Sequence, residues 1–239
     1  MRILEGEGVR KNFGGLAAIA EVSFHIHQGE ILGLIGPNGA GKTTLFNLVS
    51  GSLVPTAGII RFKGENITSM KPHQICKRGM ARTFQLVKLF ENMTVLQNIL
   101  LGSLFGTPKG ILQSDAVNES LKLLEFVGLS GMDTILAKDL TIVNQKRLEV
   151  ARALATKPEL LLLDEFMAGL TPTEVSLAIE LIKKIRDRGI TVFMIEHVMK
   201  AIMSVSDRII VLHYGEKIAE GIPDEIATNP KVIEIYLGA

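Results

Sequence analysis

The stretch "ILGLIGPNGAGKTT", Ile31–Thr44, constrains this chain more than any other. Its first residues form a short unbroken apolar run, as a strand buried on both faces requires. The run passes directly into Gly36–Thr43, which satisfies the spacing G-x-x-x-x-G-K-[ST]. Strand, glycine loop and helix in that order make a phosphate cradle. Glycines let successive backbone N–H groups converge on phosphate oxygens, and the start of the next helix adds a favourable dipole. The expected cradle is Gly36, Pro37, Asn38, Gly39, Ala40 and Gly41, closed by Lys42, Thr43 and Thr44. Lys42 would reach the β- and γ-phosphates, and the Thr43 hydroxyl would bind Mg2+. The spacing predicts a helix from Gly41 to about Ser50, with Gly51 as a left-handed cap.

A second strand supplies the complementary charge. Leu160–Leu163 lead into Asp164-Glu165. Two carboxylates at the end of a buried strand are expensive unless a cation compensates them. In open α/β sheets that end is where ligands bind. Asp164 is therefore expected in the Mg2+ shell, and Glu165 as the group that orients and deprotonates the attacking water.

The rest of the chain alternates strand and helix patterns, the mark of mainly parallel strands. "ILEGEGVRKNF" and "IAEVSFHIHQGE" read as strands forming an antiparallel edge, and "GIIRFKGENI" as a hairpin turning at Lys63-Gly64. Helical periodicity appears in Val95–Leu101 and in Asp115–Val127, where Leu121, Leu124 and Val127 share a face, with "GSLFGTPKG" read as the loop between them. Pro172–Arg188 reads as a helix with Val175, Ile179, Ile182 and Ile185 on one face, and "ITVFMIEH" as a strand. "DRIIVLHYGEKIAEG" reads as a hairpin followed by two short helices.

With 239 residues the chain has room for one large α/β unit with a small appended region. Its 47% hydrophobic and 21% charged composition argues against disorder. A net charge of +1 gives no electrostatic reason to expect a nucleic-acid partner, although Lys146-Arg147 is a pair that can add to a local basic patch. The single cysteine, Cys76, excludes an internal disulfide and suits a reducing cytosol. Glu5 and Glu7 interrupt the start where a signal peptide would be apolar, and no run is long enough to cross a bilayer. Mean hydropathy of +0.31 is high for such a chain, which implies a large core or apolar surface that meets a partner. His25 and His27 share one strand face, but no further ligand lies near them in sequence, so strand polarity is the reading adopted.

With both charged elements in place, the whole chain resembles an ATP-binding subunit of the ABC family. The resemblance implies an α/β fold: a P-loop NTPase (RecA-like) core with an antiparallel β subdomain and a helical subdomain insertion. It implies one ABC ATP-binding domain over 1–239, with 1–85 and 156–239 as core and about 86–155 as the helical subdomain. By the same resemblance Gln85, in "RTFQLVKLFENMTVLQN", would sense Mg2+ and the γ-phosphate, and His197, in "MIEHVMK", would be the switch histidine. Ala168–Thr171 match the family's dimer-contacting loop, and Phe13 in "RKNFGG" its adenine-stacking aromatic. "RTFQ", "MAGLTP", "EHVMK" and the ending "NPKVIEIYLG" are closely similar to ATPase subunits of branched-chain (hydrophobic) amino-acid importers.

What that likeness implies is ATP and Mg2+ as cofactors, and a second homologous ATP-binding subunit, or a copy of itself, as dimer partner. It also implies two integral membrane permease subunits, contacted around Gln85–Val95, an indirectly coupled solute-binding protein, and a place on the cytoplasmic face of the membrane.

One stretch departs from the family. "LTIVNQKRLEVARALA" aligns with the L-S-G-G-Q signature, which serves the nucleotide held by the opposite subunit. Leu140 and Thr141 fit, but Val143 stands in place of glycine and Asn144 in place of glutamine. A β-branched side chain there restricts the backbone and puts methyl groups where phosphate approaches. Losing one oriented donor costs about 2.7–4 kcal/mol of transition-state stabilisation. The expectation is one competent composite site and one slow one, with this chain providing the catalytic half of the competent site. Phe166, where the family has proline, is a second departure. The rival reading is a non-transport nucleotide switch that binds ATP with little hydrolysis.

Overall fold

In the computed structural model, which describes residues 1–106 and 113–237, the chain opens with β1 (Arg2–Phe13) and β2 (Leu16–His27), paired antiparallel. β3 (Ile31–Ile35) feeds α1 (Lys42–Val49), followed by β4 (Ala57–Phe62) and β5 (Glu65–Asn66). Lys63 and Gly64, between β4 and β5, both adopt left-handed φ values (52° and 78°), the geometry of a tight hairpin turn. Next come α2 (Pro72–Cys76), β6 (Met80–Arg82), α3 (Val95–Gly106), α4 (Gln113–Phe126) and α5 (Ile142–Ala155). The chain continues with β7 (Leu160–Asp164), α6 (Pro172–Asp187), β8 (Thr191–Ile195), α7 (Met199–Val205), β9 (Arg208–His213) and β10 (Glu216–Gly221). It ends with α8 (Pro223–Thr228) and α9 (Pro230–Leu237).

Two sheets result. The larger has the order β10-β9-β3-β8-β7-β6, parallel throughout except for the antiparallel β9–β10 edge. Its inner strands β3, β7 and β8 are buried on both faces, and alternate residues enter two different cores. Ile31, Leu161, Leu163, Val192 and Met194 join the core built with α3–α7. Leu32, Leu34, Leu160, Leu162, Phe193 and Ile195 join the core shared with α1 and the smaller sheet. Leu160–Leu163 are at most 1% exposed, and each contributes roughly 1.5–3 kcal/mol by burial.

Four expectations need correction. The first two strands are not an edge of the main sheet. They belong to a separate antiparallel sheet of order β2-β1-β4-β5, whose one buried face joins α1 in the second core. The "GSLFG" part of the expected loop is helical, since α3 runs to Gly106; Gly102 lets it approach α5 so closely that a Cβ there would lie 2.5 Å from the Arg152 carbonyl oxygen. The remainder, "TPKG", lies outside the described residues. Leu121 is 42% exposed, and the buried face of α4 is Ala116, Ser120 and Leu124, about one helical turn apart, with Val127 buried just past its end. Lys146 is 9% exposed and so adds nothing to a surface basic patch.

Candidate functional site: a nucleotide pocket at the strand ends

Parallel strands bring their carboxyl ends to one edge of a sheet, and four of them meet here. β3 runs into the glycine loop, β6 is followed by Gln85, β7 ends at Asp164 before Glu165, and β8 is followed by His197. The loop has the conformation its sequence demands. Gly41 sits at φ 103°, and a Cβ on it would lie 2.5 Å from the Ala18 carbonyl oxygen, so only glycine fits. Lys42 is buried and folds back to donate to the carbonyls of Gly36 (2.7 Å) and Pro37 (3.0 Å). Burial lowers the Lys42 ammonium's pKa, while Glu165 and Asp164 pull it up.

A cavity of about 420 Å3 is lined by Asn38, Gly39, Ala40, Gly41, Lys42, Thr43 and Thr44 on one side, with Gln85, Glu165 and His197 facing them. Glu165 is the hub. Gln85 Nε2 donates to one of its carboxylate oxygens at 2.9 Å, and His197 Nε2 lies 2.8 Å from the other. Its backbone is left-handed, φ 53°, which costs an L-residue on the order of 1–2 kcal/mol. Such strain persists only where surrounding structure holds it. Gln85 and His197, 80 and 32 positions from Glu165 in sequence, thus meet around its carboxylate, facing Lys42.

Asp164 stands behind this wall and does not line it. Its side chain pairs with Arg82 at 2.7 Å, and both are nearly sealed from solvent. Burial raises the Asp164 carboxyl's pKa, and the guanidinium opposes the rise. Arg82 also donates to Asn47 Oδ1 (2.7 Å) and Ser50 Oγ (2.9 Å), tying β6 to the end of α1. Sequence reading passed over Arg82; its signal was a charge inside the apolar strand Met80–Arg82, which needs a partner. The other Asp164 oxygen, Oδ1, is buried with no hydrogen-bond partner. That unpartnered acceptor lies behind the cavity, while the Thr43 hydroxyl and the Gln85 amide oxygen line it; these are oxygen donors of the kind Mg2+ takes, so the residues present would fit the ion. Among the described residues no cluster of three or more His, Cys, Asp or Glu side chains forms a separate metal site.

Phe13 does not line the cavity. It is 48% exposed at the end of β1 with Lys11 over its ring at 5.2 Å, whereas Leu16, Ala17, Ala18 and the exposed Tyr214 do line it. The signature residues also lie apart from this chain's own pocket. Thr141 caps α5, accepting from the Asn144 N–H at 3.4 Å, and Val143 falls in the first helical turn. The backbone there is right-handed helix, a conformation valine adopts. Val143 and Phe166 border one cavity of about 260 Å3 with Leu170, Leu177 and Leu181, so the two departures from the family share a packing environment.

The sequence pattern of ABC transporters matches residues 19–168, a span that includes the glycine loop and the Asp-Glu strand. The chain belongs to the ABC transporter family. A pattern described as that of branched-chain amino acid ATP-binding cassette transporters matches residues 216–239. This ABC chain is 41% identical to the high-affinity branched-chain amino acid transport ATP-binding protein BraF of Pseudomonas aeruginosa, over 99% of its own length and 98% of the relative's. It is equally similar, with the same coverage, to LivG of Escherichia coli, which bears the same description. Among solved structures, an ATP-binding cassette of an ABC transporter in its ADP conformation superposes with a TM-score of 0.90 at 33% identity, both chains fully covered. A dimeric bacterial ABC transporter cassette does so with a TM-score of 0.84 at 25% identity, covering 92% of this chain and 98% of the other.

Proposed function

We propose that this chain is the ATP-binding and ATP-hydrolysing subunit that powers an importer of branched-chain amino acids. The observation that carries this reading is Glu165, held between Gln85 and His197 across one cavity from Lys42 and Thr43. On ATP binding, Lys42 exchanges its two loop carbonyls for phosphate oxygens, and the loop N–H groups and α1 dipole neutralise the rest. Thr43, Gln85 and Asp164 would hold Mg2+, which neutralises and orients the phosphates when bound. Glu165 takes the proton of the attacking water, and His197 fixes its carboxylate and faces the γ-phosphate. The exposed ring of Phe13 lies outside the cavity but pairs across the β1–β2 turn with Leu16, which lines it, so it would stack on an adenine that projects beyond the cavity.

The partners follow from the same reading. A second ATP-binding subunit supplies its signature loop to this pocket, and this chain's Leu140–Asn144 serve the partner's. With Val143 in that loop, the partner's site is the slow one. This chain would lie on the cytoplasmic face of the membrane beneath two integral membrane subunits, one of which contacts it at a groove of about 470 Å3 bordered by Phe84, Phe90, Leu101 and Phe105. The relatives' transport role supports this reading over a non-transport switch. No helix among the described residues is long and apolar enough to cross a membrane.

Glu165→Gln tests the assignment. The variant retains ATP-Mg2+ binding, measured with a fluorescent nucleotide, and loses turnover at least a hundredfold in the reconstituted complex. Unchanged turnover removes Glu165 as the base.

A further inference from the structure

α5 begins at the signature loop, yet three of its charged side chains, Lys146, Glu149 and Arg152, turn inward at intervals of three residues. Lys146 and Glu149 are 9% and 3% exposed, and the Arg152 side chain 19%. Charged groups leave water only with partners, and here the partners are two backbone segments that frame Glu165. Lys146 Nζ donates to the carbonyls of Glu165 (3.3 Å), Phe166 (3.0 Å) and Ala168 (2.7 Å), which engages all three ammonium protons. Glu149 accepts from the N–H groups of Lys88 (3.1 Å) and Phe84 (3.4 Å), on either side of Gln85. Arg152 donates to the Lys88 carbonyl and lies 5.5 Å over the Phe90 ring.

One helix therefore grips both the loop that carries Glu165 and the segment that carries Gln85, and those two side chains are bonded to each other. The left-handed Glu165 backbone is secured from the other side as well: its N–H reaches the Ile195 carbonyl at 3.0 Å, and the Met167 N–H reaches Glu196 Oε1 at 2.6 Å. Lys146 completes that bracket on the carbonyl side.

We propose that Lys146, Glu149 and Arg152 are positioning residues that couple the signature turn of α5 to Glu165 and Gln85. A displacement of the turn bearing Val143, imposed by the partner's nucleotide, then shifts the carboxylate and amide of this chain's own pocket. The catalytic consequence rests on the ATPase reading above; the mechanical coupling does not.

Lys146→Met and Lys146→Arg in the full chain test it by two readouts. In amide hydrogen exchange without nucleotide, Lys146→Met speeds exchange in residues 165–170 at least tenfold and leaves β1 and β2 unchanged, while Lys146→Arg stays within threefold of wild type. Glu149→Gln does the same for residues 84–88 and serves as the independent variant where Lys146→Met fails to fold. In the complex, Lys146→Met lowers kcat at least tenfold with KM for ATP within twofold, and Lys146→Arg recovers most of it. Wild-type exchange at 165–170 in Lys146→Met, or at 84–88 in folded Glu149→Gln, overturns the proposal, as does a kcat loss matched by an equal loss of ATP binding. A wild-type complex without hydrolysis refutes the ATPase reading alone, and the exchange data still decide the coupling.

Discussion

Glu196 shows how much a single buried carboxyl can weigh. It is 2% exposed, accepts the Met167 N–H with one oxygen and leaves the other unpartnered. Burial pushes its pKa from 4.5 up to about 7, against the pull of the Met167 N–H and Lys146. A carboxyl raised on folding favours the folded state in full below its unfolded value, and that benefit disappears as pH climbs through the folded one. Between pH 4.5 and about 7 the loss is on the order of 3 kcal/mol. Glu196→Gln is already neutral, so its stability relative to wild type should rise by roughly that amount between pH 5 and 8 in denaturant titrations; a constant difference refutes the assignment. Nothing in "MIEHVMK" marked Glu196, because its chemistry arises from depth, and depth is a tertiary property. Lys42, Asp164 and Glu165 were legible because their neighbours in sequence already determine their surroundings. Arg82 and Lys146 were not, because their partners lie 82 and at least 19 positions away.

Elements were readable where periodicity was strong and flanking residues spoke clearly. α6 matches its predicted span to one residue, with Thr171 and Glu174 capping each other reciprocally. β6, three residues long, offered too little pattern to be seen, yet it delivers Arg82 and leads to Gln85. α5 turns the charged Lys146 and Glu149 inward, which no simple apolar face accounts for. Its first turn carries the next prediction. Val143→Gly exposes the helix N-terminus to phosphate, and turnover by the purified chain should rise at least tenfold, toward the hundredfold that one recovered donor is worth. Stability should fall by about 1 kcal/mol, the usual difference for glycine in a helix. Unchanged turnover would show that the valine methyl groups do not limit the site.

At the scale of the molecule, the main sheet separates two tasks. Its strand ends hold the nucleotide pocket, while the groove between α3 and the Phe84–Phe90 segment carries apolar side chains, which the proposed reading assigns to a membrane subunit. Phe105, 71% exposed at the groove's edge, adds nothing to the core. Phe105→Glu should leave ATP binding within twofold of wild type and reduce recovery of the membrane subunits in pull-downs at least tenfold; full recovery would place those subunits elsewhere. Such a groove explains part of the high mean hydropathy, which composition alone could only assign to either core or surface.

The regular helical backbone at Val143 has an evolutionary consequence. Valine and glycine codons differ by one base, and the peptide at this position needs no rearrangement to carry either residue. If the proposed two-site reading holds, a lineage throttles or releases one half of a paired engine by a point mutation, leaving the architecture that carries it untouched.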